Sequence, residues 1–336
     1  MPNPLPIIRA RRAVQRRAAG QRVWPGSFSD RLTDPLPTPR DMFRIMRERG
    51  FRASGGAQSD ANRIPVMRAG ELPRPETDQT LITWVGHATY VVQIGGITVL
   101  TDPVWSNSIP GGIRRLTPPG VAWSELPRVD AVVISHNHYD HLDAPTMRRL
   151  PRDTPVYCPA ALGEWFTRRG FKDVTELDWW ESTTLVGVRF DFVPSHHWSR
   201  RGIADTCATL WGGWIITAQD GTRIYFGGDT AYGKWFAEIG SRYPDVDIAL
   251  MPVGAYEPRW FMKNMHVNPD EAVRACGDLG APRMAAMHWG TFMLSAEPLL
   301  APLERARAAW AEAGRDSEDL WDLAIGETRA LEPSRT

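Results

Sequence analysis

"ISHNHYDHLD", Ile134 to Asp143, sets three histidines and an aspartate within the six residues from His136 to His141, immediately after the apolar run "DAVVI". The whole chain of 336 residues holds only 8 histidines. A solvated loop has no use for such an arrangement, and a packed strand would have to desolvate every ring. A metal site at the end of the strand accounts for it. Extended backbone through His136 and His138 lets two imidazoles converge on one ion, and the chain then turns, so that Asp140 and His141 face a second. Zinc takes such nitrogen and oxygen ligands, and iron or manganese suits the same set. Two ions about 3.5–4 Å apart can share a water and clamp the oxygens of a substrate.

The flanking runs read as strands. "LITWV", "YVVQI" and "ITVLT" are short and rich in β-branched or aromatic residues, and Gly95-Gly96 joins the last two as a hairpin. "TDPVW" ends the third with Asp102, and "SNSIPGGIRRLTPPG" reads as a long loop. A strand at Ala131 to Ile134 leads into the histidines. Helical segments are expected at about 143–150 and about 160–169, the second closed by Gly170. "GVRFDFVP", "GGWIITAQ", "RIYFGG", "IALMPV" and "MAAM" read as further strands. In "NPDEAVRACGDLG", Asn268 can cap a helix, Pro269 fits its first position and Glu271 completes a capping-box spacing. A final helix is expected at about 302–313, stopped by Gly314. Many strands with late helices indicate the α+β class, sheets covered by helices. No GxGxxG opens a helix, so a dinucleotide site is not expected.

Three further polar residues fall at strand ends: His197 after "RFDFVP", Asp229 after "RIYFGG" and His288 after "MAAM". Strand ends are rigid places from which to aim ligands, and neighbouring ends can converge. His136, His138 and His197 then supply one ion, and Asp140, His141 and His288 the other. Asp229 is the natural bridge, because a carboxylate has two oxygens and its charge offsets two cations. Taken singly, His197 and His288 would read as loop histidines and Asp229 as a turn aspartate; the cluster from His136 to His141 is what calls for outside ligands.

Composition is that of a globular enzyme, 43% hydrophobic and 23% charged. With 39 basic and 39 acidic residues, nothing global points to a nucleic-acid partner. Residues 9 to 22, "RARRAVQRRAAGQR", hold six arginines and no acid. They suit peripheral contact with an anionic membrane, with a solvated arm as the alternative. No apolar run approaches the roughly 18 residues of a membrane span, and no secretory h-region is present, so the expected location is cytoplasmic, with any membrane contact at the inner face. Cys158, Cys207 and Cys276 are widely spaced, which argues against a disulfide framework and against a cysteine-based zinc site. Of 15 tryptophans, Trp84, Trp198, Trp260 and Trp289 stand beside candidate site residues. They suit the wall of an apolar pocket or, almost as well, a packed core. Residues 1–78, rich in Pro, Arg and Gly, are expected to form an extension with one or two short helices packed on a domain spanning 79–330.

"SHNHYDHLD" resembles the HxHxDH motif of metallo-β-lactamase-fold hydrolases. "TWVGHATYVVQIGG", "LTDPVW", "PSHHWSRRG", "FGGDTAY", "MPVGAYEPRWFMKNMHVNPDEAV" and "MHWGTF" are together similar to the branch containing N-acyl-phosphatidylethanolamine-hydrolysing phospholipase D and its bacterial relatives. The likeness runs from about residue 80 to about 327. It implies a four-layer αββα sandwich with a dinuclear zinc site at one edge, where the seven residues assigned above are the ligands. The family has glutamine before its third histidine, whereas this chain reads Ser195-His196-His197. The alignment of "HWS" favours His197 as ligand, with a swap to His196 left open.

The resemblance also implies roles around the metals. Asp140 would orient the attacking water, and His266 would bind the oxyanion or protonate the leaving group, unless it only fixes the loop to the following helix. His87 and Asp102 would brace ligands by hydrogen bonds. Tyr256, Trp198 and Trp260 would line the substrate cleft. The implied activity is a zinc-dependent phosphodiesterase of phospholipase D type acting on N-acyl-phosphatidylethanolamine or a related phospholipid. A lactone or ester hydrolase of the same fold is the nearest alternative, and a noncatalytic metal-binding sensor or scaffold a third. The sequence is silent on oligomeric state.

Overall fold

The expected apolar runs are strands, and they sort into two sheets. The structure, a computed structural model, describes residues 22–48, 60–74, 76 and 78–332. The arginine-rich stretch up to residue 21 lies outside them. β1 (Thr80–Gly86), β2 (Thr89–Ile94) and β3 (Ile97–Thr101) form an antiparallel meander. Its second turn is Gly95-Gly96, both at positive φ, as a two-residue hairpin requires. The loop expected after β3 holds a small separate hairpin, β4 (Ser108–Ile109) with β5 (Ile113–Arg114). β6 (Ala131–Val133), β7 (Val156–Pro159) and β8 (Val174–Leu177) extend the first sheet in parallel from β3.

The second sheet starts with the antiparallel run β9 (Ser182–Leu185), β10 (Val188–Val193), β11 (Gly213–Thr217) and β12 (Arg223–Phe226). It continues in parallel through β13 (Ile248–Pro252), β14 (Arg283–Met287) and β15 (Leu320–Trp321). The C-terminal β16 (Thr328–Leu331) returns to the first sheet beside β1.

Strand alternation divides the core. Tyr90, Val92, Val99 and Val133 join the main core, which also holds Phe190, Trp214 and Ile216 of the second sheet. Their chain neighbours Val91, Leu100 and Val132 pack in a separate cluster with Met147, Leu162 and Phe166. The first sheet is therefore buried on both faces, its outer one beneath α2 (Ala144–Met147) and α3 (Gly163–Thr167), counting α1 (Pro39–Arg47) in the N-terminal segment. Both are shorter than the expected helices. α4 (Trp235–Arg242), the short α5 (Arg259–Met262), α6 (Pro269–Asp278) and α7 (Ala301–Glu312) follow. α6 packs on β13 and β14 and touches α4 and α7, which completes a four-layer αββα sandwich. Its capping box is formed as expected: Asn268 Oδ1 accepts from the Glu271 amide at 2.8 Å, and Glu271 Oε2 accepts from the Asn268 amide at 3.1 Å.

The segment 22–48 crosses the loops of the second sheet. Phe28 is buried and its amide donates to the Cys207 carbonyl, Arg31 pairs with Asp178, and Ile45 of α1 seats on Phe261, Met262 and Met265. Among the described residues no helix is long and apolar enough to cross a membrane.

Candidate metal centre

Strand direction explains why the polar residues meet. β1 and β3 are each antiparallel to β2, and β6 is parallel to β3, so all three point the same way. His87, Asp102 and the His136–His141 turn leave their C-terminal ends. In the second sheet β10 and β12 are both antiparallel to β11, and β14 runs with β12 through β13. His197, Asp229 and His288 leave those ends. Six segments thus converge on one edge of the sandwich.

The donor atoms fall into two four-residue sets, each within 4.8 Å: His136, His138, His197 and Asp229 in one, His87, Asp140, His141 and His288 in the other; Asp102 with His136 and His141, and Asp229 with His266 and His288, form two smaller groups that overlap them. In the first, His138 Nδ1 lies 2.8 Å from His136 Nε2 and 3.3 Å from His197 Nε2. Asp229 joins the two. Its Oδ2 is 3.7 Å from both His136 and His197 Nε2 and 3.1 Å from His141 Nε2, while its Oδ1 is 3.1 Å from His288 Nε2. Asp140 Oδ2 lies 3.5 Å from His141 Nε2 and 3.4 Å from His288 Nε2.

A family model described as "Beta-lactamase superfamily domain" matches residues 98–289. The chain belongs to the β-lactamase superfamily. It is a metal-dependent hydrolase with the metallo-β-lactamase fold. An uncharacterized protein of Mycobacterium tuberculosis is 38% identical over 290 residues, covering 81% of this chain and 76% of its own length. A protein of Caenorhabditis elegans named N-acyl-phosphatidylethanolamine-hydrolyzing phospholipase D 1 is 37% identical over 243 residues, 67% of this chain and 68% of its own. Among solved structures, a metallo hydrolase of the archaeon Ignicoccus hospitalis superposes with a TM-score of 0.58 at 23% identity, over 76% of this chain and 99% of that one.

In this superfamily member, hydrogen bonds behind the donors fix the ring tautomers. Asp102 accepts three: from the Ser135 amide at 2.7 Å, from Ser135 Oγ at 2.5 Å and from His141 Nδ1 at 2.7 Å. Ser135 Oγ in turn accepts from His136 Nδ1 at 2.8 Å. One buried carboxylate therefore orients a histidine of each set, leaving Nε2 of both for the centre. His197 Nδ1 donates to the Met265 carbonyl at 2.9 Å, and His87 Nε2 donates to Asp140 Oδ2 at 3.0 Å. His87, Asp102 and His288 have φ of 54°, 33° and 62°, a left-handed backbone that costs non-glycine residues energy and is here held by the surrounding sheets. Gly228 has φ +56°, and a Cβ on it would lie 2.5 Å from that of Ser135, so only glycine lets the Asp229 turn approach the histidine turn.

Burial pushes the His138 and His197 imidazoles down to about 3 and His136 well below the ordinary range, with neighbouring imidazoles adding to the effect. These rings are neutral, with lone pairs to offer. For His288 burial acts the same way, but the negative charges of Asp229 and Asp140 close to its Nε2 outweigh it and raise the ring to about 9. His141 is also raised, against burial, chiefly by the charges of Asp229 and Asp140. Burial would raise the two carboxylates, yet His141 and its neighbours hold both well below the usual range. Protons on His141 and His288 thus fill a demand for positive charge. Nε2 of both rings and Oδ1 of Asp229 are buried without a hydrogen-bond partner despite their short N···O separations. Metal cations fit that demand, and the N/O donor chemistry suits zinc, iron or manganese.

His196 stands outside both sets: its Nε2 lies 2.9 Å from Asp34 Oδ2 and its Nδ1 3.3 Å from the Tyr232 carbonyl. His266 stands inside the site, with Nδ1 3.9 Å from Asp229 Oδ2, and burial lowers it to about 4. Trp198 sets its ring 4.9 Å from that of His138 and lines a cleft of about 380 Å³ with Met42, Phe261, Met265 and His266. Trp260 does not line that cleft; Arg44 stacks on it and its Nε1 donates to Glu48. Tyr256 does not line it either, and burial raises its phenol to about 12. Trp84 and Trp289 stack on each other at 5.5 Å in the main core, so of the four tryptophans singled out only Trp198 walls the cleft. Ser135, the Met265 carbonyl and Thr291, whose Oγ1 accepts from the His87 amide at 2.7 Å, were not anticipated. The sequence does signal Ser135, a hydroxyl set between an apolar strand and the first histidine, whereas Thr291, three residues past His288 in a loop, carries no comparable signal.

Proposed function

We propose that this enzyme hydrolyses a phosphodiester of an N-acyl-phosphatidylethanolamine or a related phospholipid, with water attacking phosphorus and the N-acylated amino alcohol leaving from the phosphatidic acid. The observation that carries the reading is a mostly apolar cleft that opens directly onto His138, His197 and His266, as an acylated substrate with a charged reacting centre needs. The 37% identity to a nematode protein named for that reaction supports it. In this reading His136, His138 and His197 would hold one zinc and Asp140, His141 and His288 the other, with Asp229 shared between them. Two zinc ions bound there would make water a nucleophile near neutral pH and polarise a phosphoryl oxygen. Asp140, steadied by His87, is placed to take the water's proton and to return it to the oxygen of the leaving alcohol. His266, kept neutral by burial, is placed to donate a hydrogen bond to a phosphoryl oxygen rather than to act as a proton source. Trp198 packs along an apolar chain.

The three cysteines are free and buried, which suits a reducing compartment, and the proposal places the enzyme in the cytoplasm. The test is a side-by-side panel of bis(p-nitrophenyl) phosphate, an N-acyl-phosphatidylethanolamine, simple lactones, carboxylic esters and β-lactams on metal-replete enzyme and on His138→Ala. Turnover of the two phosphodiesters, lost in the variant, is expected. Lactones or esters turned over with no phosphodiester activity above the variant background would replace the substrate assignment with a carbonyl one.

A further inference from the structure

Five of the eight exposed large apolar side chains among the described residues, Met42, Phe43, Met46, Tyr139 and Ile203, sit on segments that also wall the cleft. α1 contributes Met42 to the wall, the histidine turn contributes His138, and the loop 200–206 contributes Arg200 and Thr206. On α1, Ile45 is fully buried against the domain, so Phe43, about 200° round the helix, faces solvent. Phe43 is 65% and Met46 61% exposed. Arg40 and Arg47, three residues before and four after Phe43, share its face and are exposed. The helix's acids are turned elsewhere: Asp41 is held by Thr38 in the capping box, and Glu48 by Arg44 and Trp260. On the loop, Ile203 is 95% exposed. Asp205 pins the Arg201 and Gly202 amides, and Arg201 lies over the Tyr139 ring, so the loop presents Ile203 from a fixed base.

We propose that α1 and the loop 200–206 form a docking face for an anionic phospholipid bilayer, with Phe43, Met46 and Ile203 entering the interface and Arg40 and Arg47 meeting lipid phosphates. Apolar side chains interleaved with arginines, with the acids withdrawn, match such a surface in both hydrophobicity and charge. The proposal rests on the phospholipid reading of the cleft, since it carries the cleft mouth to the lipid, but docking can be read without turnover.

The test is sedimentation of the full chain with vesicles of phosphatidylcholine alone and of phosphatidylcholine with phosphatidylglycerol. Wild type is expected to bind the anionic vesicles preferentially. Phe43→Ser/Met46→Ser, Ile203→Ser and Arg40→Gln/Arg47→Gln should each weaken that binding roughly tenfold, with metal content and thermal midpoint unchanged. Three outcomes overturn the proposal: all three variants sedimenting like wild type, binding lost only when residues 1–21 are removed, or the apolar variants instead dissolving a dimer, which would assign the face to a second copy. If phosphodiester turnover is absent while variant-sensitive sedimentation persists, the substrate assignment falls and docking stands. If the phospholipid is turned over without variant-sensitive sedimentation, docking falls and the substrate assignment stands.

Discussion

Asp229 is the side chain that ties the two donor sets together, since one carboxylate faces imidazoles from both at 3.1 to 3.7 Å. Asp229→Asn keeps the shape and removes the charge, so two close cations lose their shared counter-ion. We expect the metal content to fall from about two ions per chain toward one and hydrolysis to drop at least about 100-fold, with the fold retained by circular dichroism. Full metal loading with unchanged turnover would reduce Asp229 to a turn aspartate. Residues were legible where spacing alone implied convergence, as from His136 to His141. Between His196 and His197 spacing was silent and only the alignment of "HWS" favoured His197, because successive side chains of extended backbone point to opposite sides and the tertiary fold decides which side holds the centre. His197 looks inward at His138, and His196 outward at Asp34. The tryptophans were ambiguous for a related reason: Trp84 and Trp198 are the same residue type beside equally suggestive histidines, and only packing sends one to the core and the other to the cleft.

At the scale of elements, turns do as much as strands to build the site. Gly228→Ala forces a left-handed alanine, costing about 1–2 kcal/mol by itself, and presses its Cβ on Ser135. Because Ser135 links Asp102 to His136, the displacement should reach the donors. Urea denaturation should show the lower stability, and elemental analysis a lower metal content. A wild-type metal content would mean that the two turns separate without disturbing His136. Asn268→Ala removes the α6 cap and should cost about 1 kcal/mol; as His266 lies two residues before that cap, its position should loosen with it, raising KM for a soluble phosphodiester more than it lowers metal content. Strands with continuous apolar runs and the capped α6 were readable from sequence. α4 was not, since its "WFAEIGSR" contains a glycine that disfavours a helix locally. The structure supplies the reason for that glycine: a Cβ on Gly240 would lie 2.6 Å from the Asp278 carbonyl of α6, so the helix trades propensity for close packing.

For the whole molecule, burying this many imidazoles and carboxylates at one edge couples stability to pH and to metal together. In chelated protein His87, His138 and His197 titrate near about 3 and His266 near about 4. The unfolded chain, with histidines near about 6.5, then binds more protons than the native one below that pH. Stability from these groups is present above about 6.5 and lost as pH falls through the window toward 3. His288, raised to about 9, works in the opposite sense. The native state holds its proton between about 6.5 and 9, so that contribution is complete below the window and lost as pH rises through it, and the raised His141 adds to the loss. Chelated enzyme should therefore be most stable near pH 6.5, with each fully titrating group changing stability by up to about 1.4 kcal/mol per pH unit. In the proposed centre metal ions would take the place of the His141 and His288 protons, which should abolish the alkaline loss while acid, by expelling the ions, steepens the other limb. Urea midpoints at about pH 5.5, 6.5 and 8.5, with and without chelator, test both limbs. An alkaline limb of equal slope in loaded and chelated protein would show that those two rings are not where the metals bind.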